Sequence, residues 1–339
     1  MAQKIILDCD PGIDDALAIA FAAGCPDLEL VGITSVAGNV GLPLTTSNAQ
    51  RVAEFVGLAG VPVTPGAGAP LLREPIDARL VHGESGLGGA QLPDPVARPA
   101  DGHAVDYLID TIAAAAGEIT LVATGPLTNI ALAVHRQPRL VTQVKDFVIM
   151  GGSASRGNVT PAAEFNIAAD PEAAAIVFRA GWTVTMVGLD VTLQARATAA
   201  VRDRMRPLGP LADQLLLPAL ERYATDADPL PASPSGEGQD PPRPGPGPAV
   251  HDVLAVAYVA APALLGLVPA RVEVETAGRW TAGMTVTDFR AAPAEQNTLV
   301  ATAIDVGGFW DLALDSYGRV VTGARPRGPV PRASTRLAR

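Results

Sequence analysis

Apolar residues in this chain fall into two alternating kinds of run. Short, nearly continuous apolar stretches at 5–8, 30–35, 119–123, 147–150 and 184–189 are each too brief for a helix and too apolar for a half-exposed strand. After the first four come Ala/Leu-rich stretches of helical length, at 14–23, 44–56, 127–135 and 171–179. Continuous apolar strands that alternate with helices predict a mostly parallel sheet covered on both faces, an α/β fold of Rossmann-like type. A further helix is expected in VHDVLAVAYVAAPALLG, with His251 and Asp252 at its start.

The polar residues that break this pattern sit where the strands end. An Asp cluster follows the first strand, Asn39 the second, Thr124 the run at 119–123, and the 151–166 loop the run at 147–150. In a doubly wound sheet those ends form one rim, where ligands bind.

Between 226 and 249 the pattern lapses into DADPLPASPSGEGQDPPRPGPGPA, a Pro/Gly-rich stretch that cannot build a core and predicts a mobile insertion, either a lid or a neutral loop. Beyond Gly323 the chain carries five Arg and no acid, as a solvated tail would. Residues 1–323 therefore read as one domain bearing that insertion, and 324–339 as a disordered basic end.

Composition narrows the partners. The chain has 339 residues, 48% of them hydrophobic, ample for a large core. A net charge of −10, with Lys4 and Lys145 the only lysines, argues against nucleic acid. Neither a basic leader nor an apolar run of about 18 residues is apparent, so a soluble, cytoplasmic protein with no membrane partner is expected. Cys9 and Cys25 lack zinc-like spacing and read as reduced thiols.

The chemistry concentrates in DCDPGIDD, where Asp8, Asp10, Asp14 and Asp15 fall within eight residues. Acids in a first helical turn suit the helix dipole, and one of them can cap the helix. Four crowded carboxylates need a cation as well, because they repel one another and burial is costly for each. With no Cys or His pair nearby, a hard ion such as Ca²⁺ or Mg²⁺ fits better than zinc. Asp252, again at a helix start, could complete such a site. Haloacid-dehalogenase-type phosphatases also place Asp-x-Asp after their first strand, but the threonine that usually follows and a late acidic pair after Lys145 are missing here.

DCDPGIDDALAI, VAGNV, HGESGLGG, DGHAV, ATGPLTNIALA, GGSASRGNVTPAAEFNIAADPEAA, GLDVT and HDVLAVAY occur in that order. Together they resemble the inosine–uridine nucleoside hydrolase family, calcium-dependent N-ribohydrolases, over residues 4 to about 323 apart from the insertion. The resemblance implies that Asp10, Asp15, Asp252 and the Thr124 backbone carbonyl bind Ca²⁺. It implies that Asp14 and Asn166 hold the ribose 2′- and 3′-hydroxyls with Asn39 close by, and that Asn158 and Glu164 take the 5′-hydroxyl. His82 would then lie near the base and His251 would donate a proton to it as it leaves, while Asp10 takes a proton from the attacking water. A homodimer or homotetramer is implied too.

Plain alternatives stand beside these roles. His251 could simply cap a helix, His82 could be solvated, and Asn158, Glu164 and Asn166 could satisfy loop backbone groups. Asp8 could anchor the metal ligands from behind instead of being a ligand itself, while His103 is expected to start a helix and His135 to end one on a solvated face. Tyr223 is the aromatic nearest the expected site, whereas Trp182, Trp280 and Trp310 read as packing residues. Two rival functions remain, a calcium-dependent nucleoside- or pentose-binding protein without catalysis and a nucleoside phosphorylase. The second would need basic residues that the motifs hardly offer.

Overall fold

The computed structural model describes residues 2–226 and 247–320. The expected tail at 324–339 and nearly all of the insertion expected at 226–249 lie outside them. Nine strands form one sheet: β1 (Gln3–Cys9), β2 (Leu28–Ser35), β3 (Val63–Pro65), β4 (Ile119–Ala123), β5 (Asp146–Met150), β6 (Val184–Val187), β7 (Leu265–Val274), β8 (Thr285–Asp288) and β9 (Thr298–Ile304). Their order is β3-β2-β1-β4-β5-β6-β9-β7-β8. Strands β3 to β9 in that order are parallel neighbours, and the β9–β7 and β7–β8 pairings at one edge are antiparallel, so β7 alone runs against the rest.

The continuous apolar runs are explained by burial on both faces. Along β1, Ile5, Leu7 and Cys9 enter one core while Ile6 enters the other; along β5, Val148 and Met150 face the first and Phe147 and Ile149 the second. Successive side chains of a strand alternate in direction, so a strand with a core on each side is apolar over most of its length. The helices Ile13–Gly24, Leu42–Phe55, Asp252–Ala260 and Val306–Tyr317 cover the first face. Ala104–Ala114, Thr128–Arg136 and Pro171–Phe178 cover the second.

The expected helices at 14–23, 44–56, 127–135 and 171–179 are all present with ends moved by one or two residues. The run at 184–189 is shorter than expected as a strand, because the chain turns at Gly188 into the helical turn Leu189–Thr192. His103 does start a helix, its Nδ1 accepting the Val105 N–H at 3.2 Å. Trp182 stacks on Phe147 with ring centroids 4.3 Å apart, and Trp310 is buried. Trp280 is not a packing residue: it is 76% exposed, with the Arg279 guanidinium over its ring.

The strand order reverses direction between β1 and β4, which lie side by side. That is the switch point at which the loops following neighbouring strands part and leave a crevice. Asp10 leaves β1 and Thr124 leaves β4, so the acidic cluster stands at the crevice.

Candidate active site

Two glycines let Asp10 sit where it does. A Cβ at Gly38 would stand 2.1 Å from Asp10 Oδ2, and one at Gly125 would stand 2.6 Å from Oδ1, so only glycine allows both loops to close around this carboxylate. Oδ2 accepts the Asn39 backbone N–H at 2.7 Å. Oδ1 is buried and has no hydrogen-bond partner among the described residues.

Asp15 lies in the first turn of Ile13–Gly24 and does cap it, its Oδ2 accepting the Gly12 N–H at 3.0 Å. The same oxygen accepts Asn39 Nδ2 at 3.2 Å, and Oδ1 accepts the Thr124 hydroxyl at 2.9 Å. Capping thus accounts for one oxygen of one aspartate. Asp14, Asp15 and Asp252 each place a carboxylate oxygen within 4.8 Å of the others, all three buried, with Asp10 alongside. Asp252 arrives from far along the chain because its helix packs on Ile13–Gly24.

The electrostatics are severe. Burial pushes the Asp14 carboxyl up to about 7, and the neighbouring Asp15 charge adds to it. Burial and the surrounding aspartates drive Asp10 and Asp252 well above the usual carboxylate range, and burial raises Asp15. A cation would reverse this, since positive charge within a few ångströms favours the ionised form. The residues fit a hard metal ion on two observations, an all-oxygen donor set and a buried carboxylate oxygen left without a partner.

Asp8 stands apart from the cluster, its Oδ1 accepting Thr34 Oγ1 at 2.5 Å and Asn129 Nδ2 at 2.8 Å. It braces the β1 end against β2 and the Thr128–Arg136 helix. Sequence reasoning does not single out Thr34 and Asn129, although an amide inside an apolar helix is a readable clue. The Thr124 backbone carbonyl accepts Asn166 Nδ2 at 2.8 Å.

On the β5 side, Glu164 caps the short helix Phe165–Ala169, accepting the Asn166 N–H at 3.0 Å, and its Oε2 accepts the Gly152 N–H at 2.9 Å. Burial nevertheless raises its carboxyl to about 7. Asn166 is buried and spends its Nδ2 on the Thr124 and Met150 carbonyls. Asn158 is exposed, with its Oδ1 accepting the Phe165 N–H at 2.9 Å. All three satisfy loop backbone groups, and Glu164 and Asn166 do so while buried beside the carboxylates.

The opposite wall is aromatic. His82 is buried, not solvated, and its Nδ1 accepts the Ile13 N–H at 3.0 Å. Burial, then the nearby His251, pulls its pKa down to about 3. Tyr223, also buried, lies 5.7 Å from His82 and edge-on at 6.5 Å from His251, ring centre to ring centre. His251 precedes Asp252–Ala260 and has Nδ1 2.8 Å from Thr192 Oγ1. Burial, then Arg196, lowers its pKa to about 4. Pro248–Val250 is pinned to Ala195–Ala197 by paired backbone bonds, so the chain re-enters at a defined point just before His251. Thr192 is a third residue that sequence reasoning does not single out.

Comparison with known proteins agrees with this arrangement. A family model described as inosine-uridine preferring nucleoside hydrolase matches residues 5–311. An inosine-uridine preferring nucleoside hydrolase of Leishmania major is 45% identical over 323 residues, covering 94% of this chain and 99% of that one. The pyrimidine-specific ribonucleoside hydrolase RihA of Salmonella gallinarum is 41% identical, covering 92% and 97%. Among solved structures, a purine-preferring ribonucleoside hydrolase from Gardnerella vaginalis superposes with a TM-score of 0.83 at 33% identity, covering 93% of this chain and 98% of that one. With a buried carboxylate cluster at the β1/β4 crevice and this match across nearly its whole length, the chain belongs to the inosine-uridine preferring nucleoside hydrolase family.

Proposed function

We propose that this protein hydrolyses the N-glycosidic bond of ribonucleosides, with Ca²⁺ held by Asp10, Asp15, Asp252 and the Thr124 carbonyl. The observation that carries the reading is the buried group of mutually repelling aspartates facing His82, Tyr223 and His251. Family membership brings metal dependence with it, and calcium suits this donor set because it accepts several oxygens in irregular geometry. Bound there, the ion supplies compensating charge and lowers the pKa of water.

Cleaving C1′–N builds positive charge on the ribose, which the adjacent carboxylates stabilise. Asp10 has an oxygen free of other bonds to take a proton from the attacking water. Asp14, buried in the cluster with Asp15 and Asp252, takes ribose hydroxyls with Asn166, Asn39 close by. Glu164 and the Asn158 amide take the 5′-hydroxyl. His82 and Tyr223 wall the base, and His251 is its hydrogen donor. Direct attack by water predicts inversion at C1′.

The test is a panel of ribonucleosides assayed for reducing-sugar release, with chelator and after calcium is restored. Release that vanishes on chelation and returns with calcium supports the reading. Release that ignores chelation, or none from any nucleoside, overturns it.

A further inference from the structure

We infer that Thr192 is a positioning residue that holds His251 in the tautomer with its proton on Nε2, the form in which the ring presents a donor to the leaving base. The inference rests on the reading of His251 above and extends it to a residue outside the cluster.

Thr192 closes the helical turn Leu189–Thr192 directly after β6 and has no exposure to solvent. Its hydroxyl has one hydrogen-bond partner among the described residues, His251 Nδ1, at 2.8 Å. A hydroxyl inside a helical turn often bonds back to a carbonyl three or four residues earlier. Thr192 does not: its hydroxyl meets no carbonyl among the described residues, and the Gly188 carbonyl already accepts the backbone N–H groups of both Val191 and Thr192. The proton on Oγ1 therefore has one acceptor within reach. If Nδ1 carried the imidazole proton it would donate to Oγ1, and the buried hydroxyl proton, turned away from the ring, would go unpaired, which costs about 1–3 kcal/mol. With Nδ1 as acceptor, the ring proton stands on Nε2, which bonds to no described residue.

His82 offers an internal comparison. Its Nδ1 faces the Ile13 backbone N–H, which can only donate, so that ring too carries its proton on Nε2. The two histidines flanking Tyr223 are thus set the same way, one by backbone and one by a side chain. Only the second can be edited without disturbing the fold. The tautomer of a working imidazole is commonly set by the bond its other nitrogen makes, and Thr192 fills that part here. As C1′–N breaks and its electron pair moves onto the base, a hydrogen bond from Nε2–H strengthens with the growing negative charge.

Thr192→Val keeps the shape and removes the hydroxyl. With ¹⁵N-histidine labelling of the full, calcium-loaded chain, and His251→Gln to assign the signals, the wild type should show His251 protonated at Nε2 alone. Thr192→Val should show proton exchange between both nitrogens, with His82 unchanged. In kinetics, Thr192→Val should lose on the order of 10- to 100-fold in kcat on natural nucleosides, whose bases need a donor. It should lose little on an activated aryl riboside that leaves unaided, and Thr192→Ser should recover the loss. Equal losses on both substrates, or a wild-type His251 protonated at Nδ1, would overturn the inference. The nuclear resonance result stands whether or not the wild type hydrolyses nucleosides, so a failure of the functional reading is seen separately.

Discussion

The protein handles its acids in two opposite ways. On the surface near the β7 edge, carboxylates meet arginines: Glu172 takes a two-pronged bond from Arg73, at 2.8 Å from Nη2, and Glu273 accepts Arg179 at 2.7 Å. The Arg73 guanidinium holds the Glu172 carboxyl below its ordinary range. At the β1/β4 crevice the strongest electrostatic influences on Asp10, Asp14, Asp15 and Asp252 after burial include one another, and their pKa values rise. The first arrangement is complete within the chain. The second becomes favourable only with positive charge from outside, which is why one region is scaffold and the other a site.

Four measurements press on that contrast, from the largest expected effect downward. Asp10→Ala removes the carboxylate whose free oxygen faces no protein donor, and kcat should fall by about 10³-fold or more. Calcium chelation should match it reversibly. Near-normal turnover by the variant would erase the distinction between the two acid populations.

A smaller effect concerns the aromatic wall. His82 has a folded pKa of about 3 against an ordinary 6.5. The neutral ring is favoured in the fold, so its stability contribution is present above pH 6.5 and is lost as pH falls towards 3. Moving a pKa by one alters the balance between the charged and neutral forms by about 1.4 kcal/mol. Urea unfolding at pH 7 and pH 4 should show the wild type losing more stability on acidification than His82→Asn, whose side-chain oxygen can still accept the Ile13 N–H. Parallel losses would mean that His82 titrates normally and is not buried against that backbone.

The smallest effect belongs to the surface. Glu172→Gln should change unfolding free energy by about 1 kcal/mol or less, with turnover intact, because half-exposed ion pairs gain little over their hydration. A loss of activity there would show that the β7 edge is coupled to the crevice.

Much of the fold could be read because burial on both faces leaves an unmistakable mark. Strands β1, β2, β4 and β5 and the helices after them follow from uninterrupted apolar runs that no exposed element could carry. The edge is harder: β7 alternates exposed and buried residues and β3 is only Val63–Pro65, so neither leaves a continuous apolar run to recognise. Trp280 shows the limit of reading an aromatic as core, since its ring lies on the surface beneath the Arg279 guanidinium.

For the site, the sequence by itself determined that the aspartates need a cation, because their crowding is local and like charges repel at short range. The same holds for their place at a strand's end. What only the tertiary structure decided were meetings between residues far apart in the chain: Asp252 with Asp14 and Asp15, Ile13 with His82, Asn129 with Asp8, and Thr192 with His251. Hydrogen bonds act over about 3 Å, and which partners come that close is settled by how helices dock on the sheet, a property that no local pattern of residues contains.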